Sequence, residues 1–182
     1  MSCTVRDDGK VFEGVLLIGG SASAGKTTAA LSIANELGAG PVVHLDDVRR
    51  GHPQAVRRLD GAGVWDNAPR DLLQLLLEET ASLRAVLAQL VAGVRPDGTS
   101  TIVEGEGVEP EIVEALAPGA PVRGVYVIET DAVVLRRTFA TRASAGRFLA
   151  LSPGQQQAVV EMNRLYCHLA PRRGGPAGPG MG

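Results

Sequence analysis

The chain has 182 residues, is 45% hydrophobic and carries a formal charge of −2 at pH 7. Such a length suits one domain with its own core, and such a charge excludes a general pull toward nucleic acid or anionic membranes, so any anion site must be local. Two cysteines are too few for a disulfide framework, and no apolar run approaches the roughly 20 residues that span a bilayer.

The polar, charged stretch 1–14 lacks the layout of a secretory signal. The expectation is a cytoplasmic protein with neither a nucleic-acid nor a membrane partner. Its basic residues are nearly all arginine, and lysine occurs only at Lys10 and Lys26. A lysine at a motif position therefore stands out.

In chain order, Val15-Leu16-Leu17-Ile18 is a short apolar run ending in Gly19-Gly20, the pattern of a strand buried on both faces of a parallel sheet. A helix follows over 26–37, with Ala29, Ala30, Ile33 and Leu37 on one side and Gly38 as its stop. Residues 41–45 read as a second strand ending in Asp46-Asp47, and 48–63 as an Arg-rich loop holding a short helix. Pro69 opens the longest helix, 69–92, capped by the preceding Asp66 or Asn67 and carrying Leu72, Leu76, Leu83, Leu87 and Leu90 at helical spacing. Pro96-Asp97-Gly98 is a turn signal before a third strand at 101–103.

Glu104-Gly105-Glu106-Gly107 closes that strand, and a short helix spans 111–116. Residues 122–128 form a fourth strand. Thr130 or Asp131 caps a helix to about residue 143, and 152–170 read as a last helix with Val159, Met162, Leu165, Tyr166 and Leu169 on one face. From 171 to 182 glycine and proline dominate, the composition of a disordered tail. Residues 1–170 read as one domain. Strands alternating with helices predict a parallel sheet with right-handed crossovers, and ligands in such sheets sit at the carboxyl ends of the strands.

Gly20-Ser21-Ala22-Ser23-Ala24-Gly25-Lys26-Thr27 matches G-x-x-x-x-G-K-[ST] at every fixed position, with Thr28 following. By chance, four fixed positions coincide in about one chain of this length per hundred, and here the match has the required strand–loop–helix context. Gly20 and Gly25 permit a backbone that aims successive N–H groups at phosphate. The helix behind adds free N–H groups and the positive end of its dipole. Lys26 neutralises β- and γ-phosphate charge, and the Thr27 hydroxyl can ligate Mg²⁺.

Such a site needs an acid at a neighbouring strand end. Glu104 is placed for that role, with Glu106 as the alternate. Asp46 can accept or orient the proton of a hydroxyl acceptor, or cap the next helix. His44 is expected to face or pack on the sheet. Arg136, Arg137, Arg142 and Arg147 lie on and after the helix that follows the fourth strand; helical geometry separates Arg136 from Arg137 by about 100°. Arg137 and Arg142 are the candidates to close over a transferring phosphoryl group, within a lid over about 131–150. Arg49, Arg50, His52, Arg57, Arg58 and Arg70 give the 48–70 segment a basic character that suits an anionic acceptor.

The stretch from Gly19 to Thr28, Leu45-Asp46-Asp47-Val48-Arg49 and Ile102-Val103-Glu104-Gly105, with Pro110 and the Arg-bearing helix from Asp131, together resemble the small P-loop kinases. The resemblance is to the nucleoside-monophosphate, shikimate and gluconate kinase type, and more particularly to the 2-phosphoglycerate kinase-related group. It covers about residues 15–147. The resemblance implies a three-layer α/β P-loop NTPase fold, sheet order 2-3-1-4-5, ATP with Mg²⁺, and a small-molecule acceptor between Asp46 and the long helix. The chain departs from it after the lid, where a helix replaces the usual fifth strand, so the sheet has four or five strands. A guanine-reading N-K-x-D motif cannot exist with lysine only at 10 and 26. The alternatives are a P-loop ATPase or regulatory nucleotide-binding module, and a kinase similar to the zeta toxins.

Overall fold

The computed structural model describes residues 13–51, 57–94, 100–119 and 121–169. The central strand β1 (Val15–Gly20) is buried at all six positions. On one side it pairs with β3 (Thr101–Glu104), which pairs with β2 (Val42–His44); on the other it pairs with β4 (Val122–Val127). All pairings are parallel, and the order is β2-β3-β1-β4.

The apolar run of β1 splits by alternation into two cores. Leu16 and Ile18 meet Ala30, with Ile33 and Ala34 against them, from α1 (Lys26–Leu37). Val15 and Leu17 meet Leu87, Val91 and Ile112 on the opposite face. These come from α4 (Arg84–Ala92) and α5 (Pro110–Leu116). Helices on both faces of a parallel sheet make three layers.

Residues 69–92 form two helices rather than the one that leucine spacing predicts: α3 (Pro69–Ala81) and α4. Between them the chain tightens, with Leu83 N donating to Thr80 O at 2.9 Å. The leucines serve different cores. Leu72 and Leu76 pack on Met162 and Tyr166, whereas Leu87 and Val91 pack on the sheet, and a single straight axis does not present both. Pro69 does occupy the first turn, but the N-cap is Ala68, whose methyl group can make no capping bond, and Asn67 instead donates to Val64 O at 2.6 Å.

β2 is shorter than predicted. The chain turns at once into α2 (Leu45–Gly51), so Asp46 and Asp47 lie in a first helical turn, where acids suit the dipole. Asp131 caps α6 (Ala132–Thr141), accepting from Val133 N at 2.7 Å and Val134 N at 3.3 Å. The helix ends at Arg142, whose backbone is extended, before the short α7 (Ala145–Leu149).

α8 (Pro153–Leu169) follows. Among the described residues no strand comes after β4, and the sheet has four. Val159 and Val160 of α8 pack on Leu135 and Phe139 of α6, and Met162 and Tyr166 on α3. None of the described helices is long and apolar enough to cross a membrane. The Gly/Pro tail read at 171–182, the turn at 96–98 and His52 lie outside the described residues.

Candidate active site

The glycine loop leaves β1 through Gly20, whose φ of 133° and closeness to β4 both exclude a side chain: an added Cβ would stand 2.1 Å from Val127 O. It enters α1 through Gly25 at φ 97°. Ser23, at φ 62°, is the one non-glycine residue with positive φ among those described, a strained geometry of the kind that needs outside support.

That support comes from α8. Asn163, fully buried, accepts from Ala22 N at 3.0 Å and donates to Val159 O at 2.8 Å. Cys167 Sγ donates to Ser21 Oγ at 3.1 Å. Ser21, itself fully buried, accepts at its carbonyl from Lys26 Nζ at 2.7 Å. The lysine thus curls back over the loop that precedes it. Arg142 reaches from beyond α6 to Ser23 Oγ at 3.2 Å, its guanidinium 4.7 Å from the centre of the Phe139 ring.

At the next strand end, Thr27 Oγ1 donates to Glu104 Oε1 at 2.9 Å, and His44 Nδ1 lies 2.7 Å from the same oxygen. The β2–β3 register places His44 directly beside Glu104, and Glu104 is only 6% exposed. Two hydrogen bonds therefore hold a buried carboxylate at the mouth of the loop.

A cavity of about 390 Å³ opens over this group. Its lining brings together Ala22, Ser23, Gly25, Lys26, Thr27 and Thr28 with Asp46, Glu104 and Arg142. Gly20, Ser21 and Ala24 do not line it; the first two lie behind the loop as scaffold. Arg137 is exposed and lies outside the lining. Arg136 is tied to Gln156 at 3.3 Å and Gln157 at 2.6 Å.

A second cavity of about 620 Å³ adjoins the first and shares Ala22, Arg49, Glu106 and Arg142 with it. Burial pushes the Glu106 carboxyl up from its ordinary pKa, and Asp46 adds to the rise, while Lys26, Arg49 and Arg142 oppose it. Burial also pulls Arg142 down, against the attraction of Glu106 and Asp46.

Four arginines of the 48–70 segment stand beside acids. Arg49 is bonded to Glu79 and lies 3.2 Å from Asp46, and Arg50 is bonded to Asp47. Arg57 and Arg58 stand 3.9 and 3.7 Å from Asp60 and Glu78.

Sequence reading gave His44 to the sheet and assigned nothing to Asn163 or Cys167. The signal for His44 is the strand register, which a single sequence does not contain. The signal for the others was visible: Val159, Asn163 and Cys167 recur every four residues, so one amide interrupts a buried stripe and demands a partner.

No family model matches the chain, and no curated protein matches it. Solved structures do resemble it. A gluconokinase from Sinorhizobium meliloti 1021 aligns over 84% of this chain and 75% of its own, at 15% identity and a TM-score of 0.51. A sugar kinase from Janibacter sp. HTCC2649 aligns over 88% and 97%, at 18% identity and TM-score 0.42. Deoxyadenosine kinase from M. mycoides, solved with bound dATP, aligns over 84% and 82%, at 10% identity and TM-score 0.45. The fold is that of the P-loop small-molecule kinases, and its four-stranded parallel sheet carries the glycine loop at the carboxyl end of the central strand.

Proposed function

We propose that the chain is an ATP-dependent phosphotransferase that moves the γ-phosphate to a hydroxyl of a small-molecule acceptor. The observation that carries this reading is the junction of the two cavities at Arg142, Glu106, Arg49 and Ala22. A nucleotide phosphate chain in the smaller cavity would meet an acceptor in the larger one at that seam.

The loop N–H groups and Lys26 bind the phosphates, for which Lys26 leaves the Ser21 carbonyl it now touches. The Thr27 hydroxyl and Glu104 carboxylate, 2.9 Å apart, are oxygen donors that suit so hard a cation as Mg²⁺. When bound, that ion neutralises charge on the β- and γ-phosphates. His44 holds Glu104 in place.

In the transfer, the acceptor oxygen forms a bond to the γ-phosphorus while the bond from that phosphorus to the β–γ bridging oxygen breaks. ADP leaves with the electron pair, and the acceptor proton passes to Asp46, which lines the cavity on the phosphate side. Glu106, lining both cavities, orients the acceptor. Arg142 faces the charge that develops on the transferring group, and the segment from α6 to α7 acts as a lid. The protein works without a nucleic-acid or membrane partner, in the cytoplasm.

Phosphorus NMR of protein with Mg·ATP and pools of small alcohols tests this reading. The expected result is a new phosphate monoester appearing in step with ADP. Inorganic phosphate released at the same rate with and without alcohols would instead make the chain an ATPase.

A further inference from the structure

The larger cavity is built for one kind of acceptor. Its wall away from the glycine loop is Leu59, Trp65, Phe148, Leu151, Val159 and Met162. The chain has one Trp, two Tyr and three Phe; Trp65, Phe139 and Phe148 all line this cavity. At about 620 Å³ it has the volume of a site for a drug-sized molecule.

Its charges are balanced. Arg49, Arg142 and Arg147 face Asp60, Glu79 and Glu106 across the lining. Arg49 is bonded to Glu79, and Arg147 stands 3.7 Å from Asp60. Arg142 is turned to Ser23 on the phosphate side. Away from the exposed Arg147, an anionic acceptor body would have to break the Arg49–Glu79 pair, whose carboxylate is buried, or lie unpaired against apolar wall, and both are costly. A neutral ring would lie against the Trp65 and Phe148 side chains at no such cost.

The geometry points to an acceptor that is an uncharged, ring-bearing hydroxyl compound, its apolar body against Trp65 and Phe148 and its hydroxyl at the Glu106 seam. This replaces the anionic acceptor that the arginines of the 48–70 segment suggest in sequence. It rests on the phosphotransferase reading for the fate of the hydroxyl, but the shape and chemistry of the cavity are independent of turnover.

Trp65 is the sole tryptophan, so its emission reports occupancy of this cavity directly. Titrations would use phenylpropanediol and adamantanemethanol as neutral ring alcohols, and gluconate and phosphoglycerate as anions. The neutral alcohols are expected to produce a saturable change at concentrations at least about tenfold below any response to the anions, the discrimination typical of apolar pockets. Ala150→Asp, at an exposed position that adds a charge to the wall without opening the core, should weaken that response several-fold. Glu36→Gln, at an exposed position on α1 outside both cavity linings, should leave it unchanged.

Tighter binding of the anions, lost in Arg147→Glu, would overturn the inference, as would the absence of any saturable response to the neutral alcohols. Melting the same samples with Mg·ATP separates the two readings. Alcohol binding without a nucleotide shift would sink the phosphotransferase and leave the cavity assignment standing.

Discussion

The two cavities differ in how the chain builds them. The one over the glycine loop takes six of its lining residues from the single run Ala22 to Thr28, and the rest from neighbouring strand and helix ends. The one beside it draws on Leu59 and Trp65 from the short turns before α3, on Phe148 of α7 and on Met162 of α8. The first is a local device whose geometry follows from glycines and a helix terminus. The second exists only once the tertiary fold is complete. A short motif can therefore point to a bound phosphate while saying nothing of what receives it.

Breaking the local device should have the largest effect. Lys26→Ala is expected to lower turnover by about 10³-fold, the scale of losing one preorganised charge at a developing anion, with unfolding unchanged in a denaturant melt. Asp46→Asn, on the phosphate side, and Arg142→Ala, at the cavity junction, should each lower turnover about 10²-fold. ATP affinity in Asp46→Asn should stay at the wild-type value by calorimetry, since a loss of affinity alone would put Asp46 on the metal.

A smaller effect sharpens the link between the two regions. Asn163→Leu removes the acceptor for the half-buried Ala22 N, costing about 1 kcal/mol of stability. It should also weaken Mg·ATP binding about tenfold, because Ser23 holds a strained φ that the α8 contact supports. Cys167→Ser, which keeps a donor beside Ser21 Oγ, should behave as wild type in the same binding assay. Smallest of all, Arg137→Ala should change turnover by less than about twofold, as ordinary surface substitutions do.

How legible each part was follows the same division. The continuous apolar run of β1, the alternation of strands and helices and the stop at Gly38 were readable because their causes are local. The order β2-β3-β1-β4 agrees with the one that the resemblance implies for these four strands, and local patterns alone do not contain it. The break at Ser82 was not readable, since helical periodicity is blind to which core a leucine joins. Nor was the pairing of His44 with Glu104, which depends on strand register. The arginines of the 48–70 segment are a related case: Glu78 and Glu79, which meet Arg58 and Arg49, lie on α3, and a single sequence does not show which charges the fold pairs.

Whether the glycine loop binds Mg·ATP through Lys26 can be read from thermal melts. Wild type and Lys26→Ala would be melted with Mg·ATP, with Mg·GTP and with neither. At 100 times its Kd, the nucleotide adds about 2.7 kcal/mol, a shift of several degrees for a domain of this size. The account predicts that shift for wild type with ATP and its loss in Lys26→Ala. No shift with either nucleotide, or an equal shift in the variant, would contradict it.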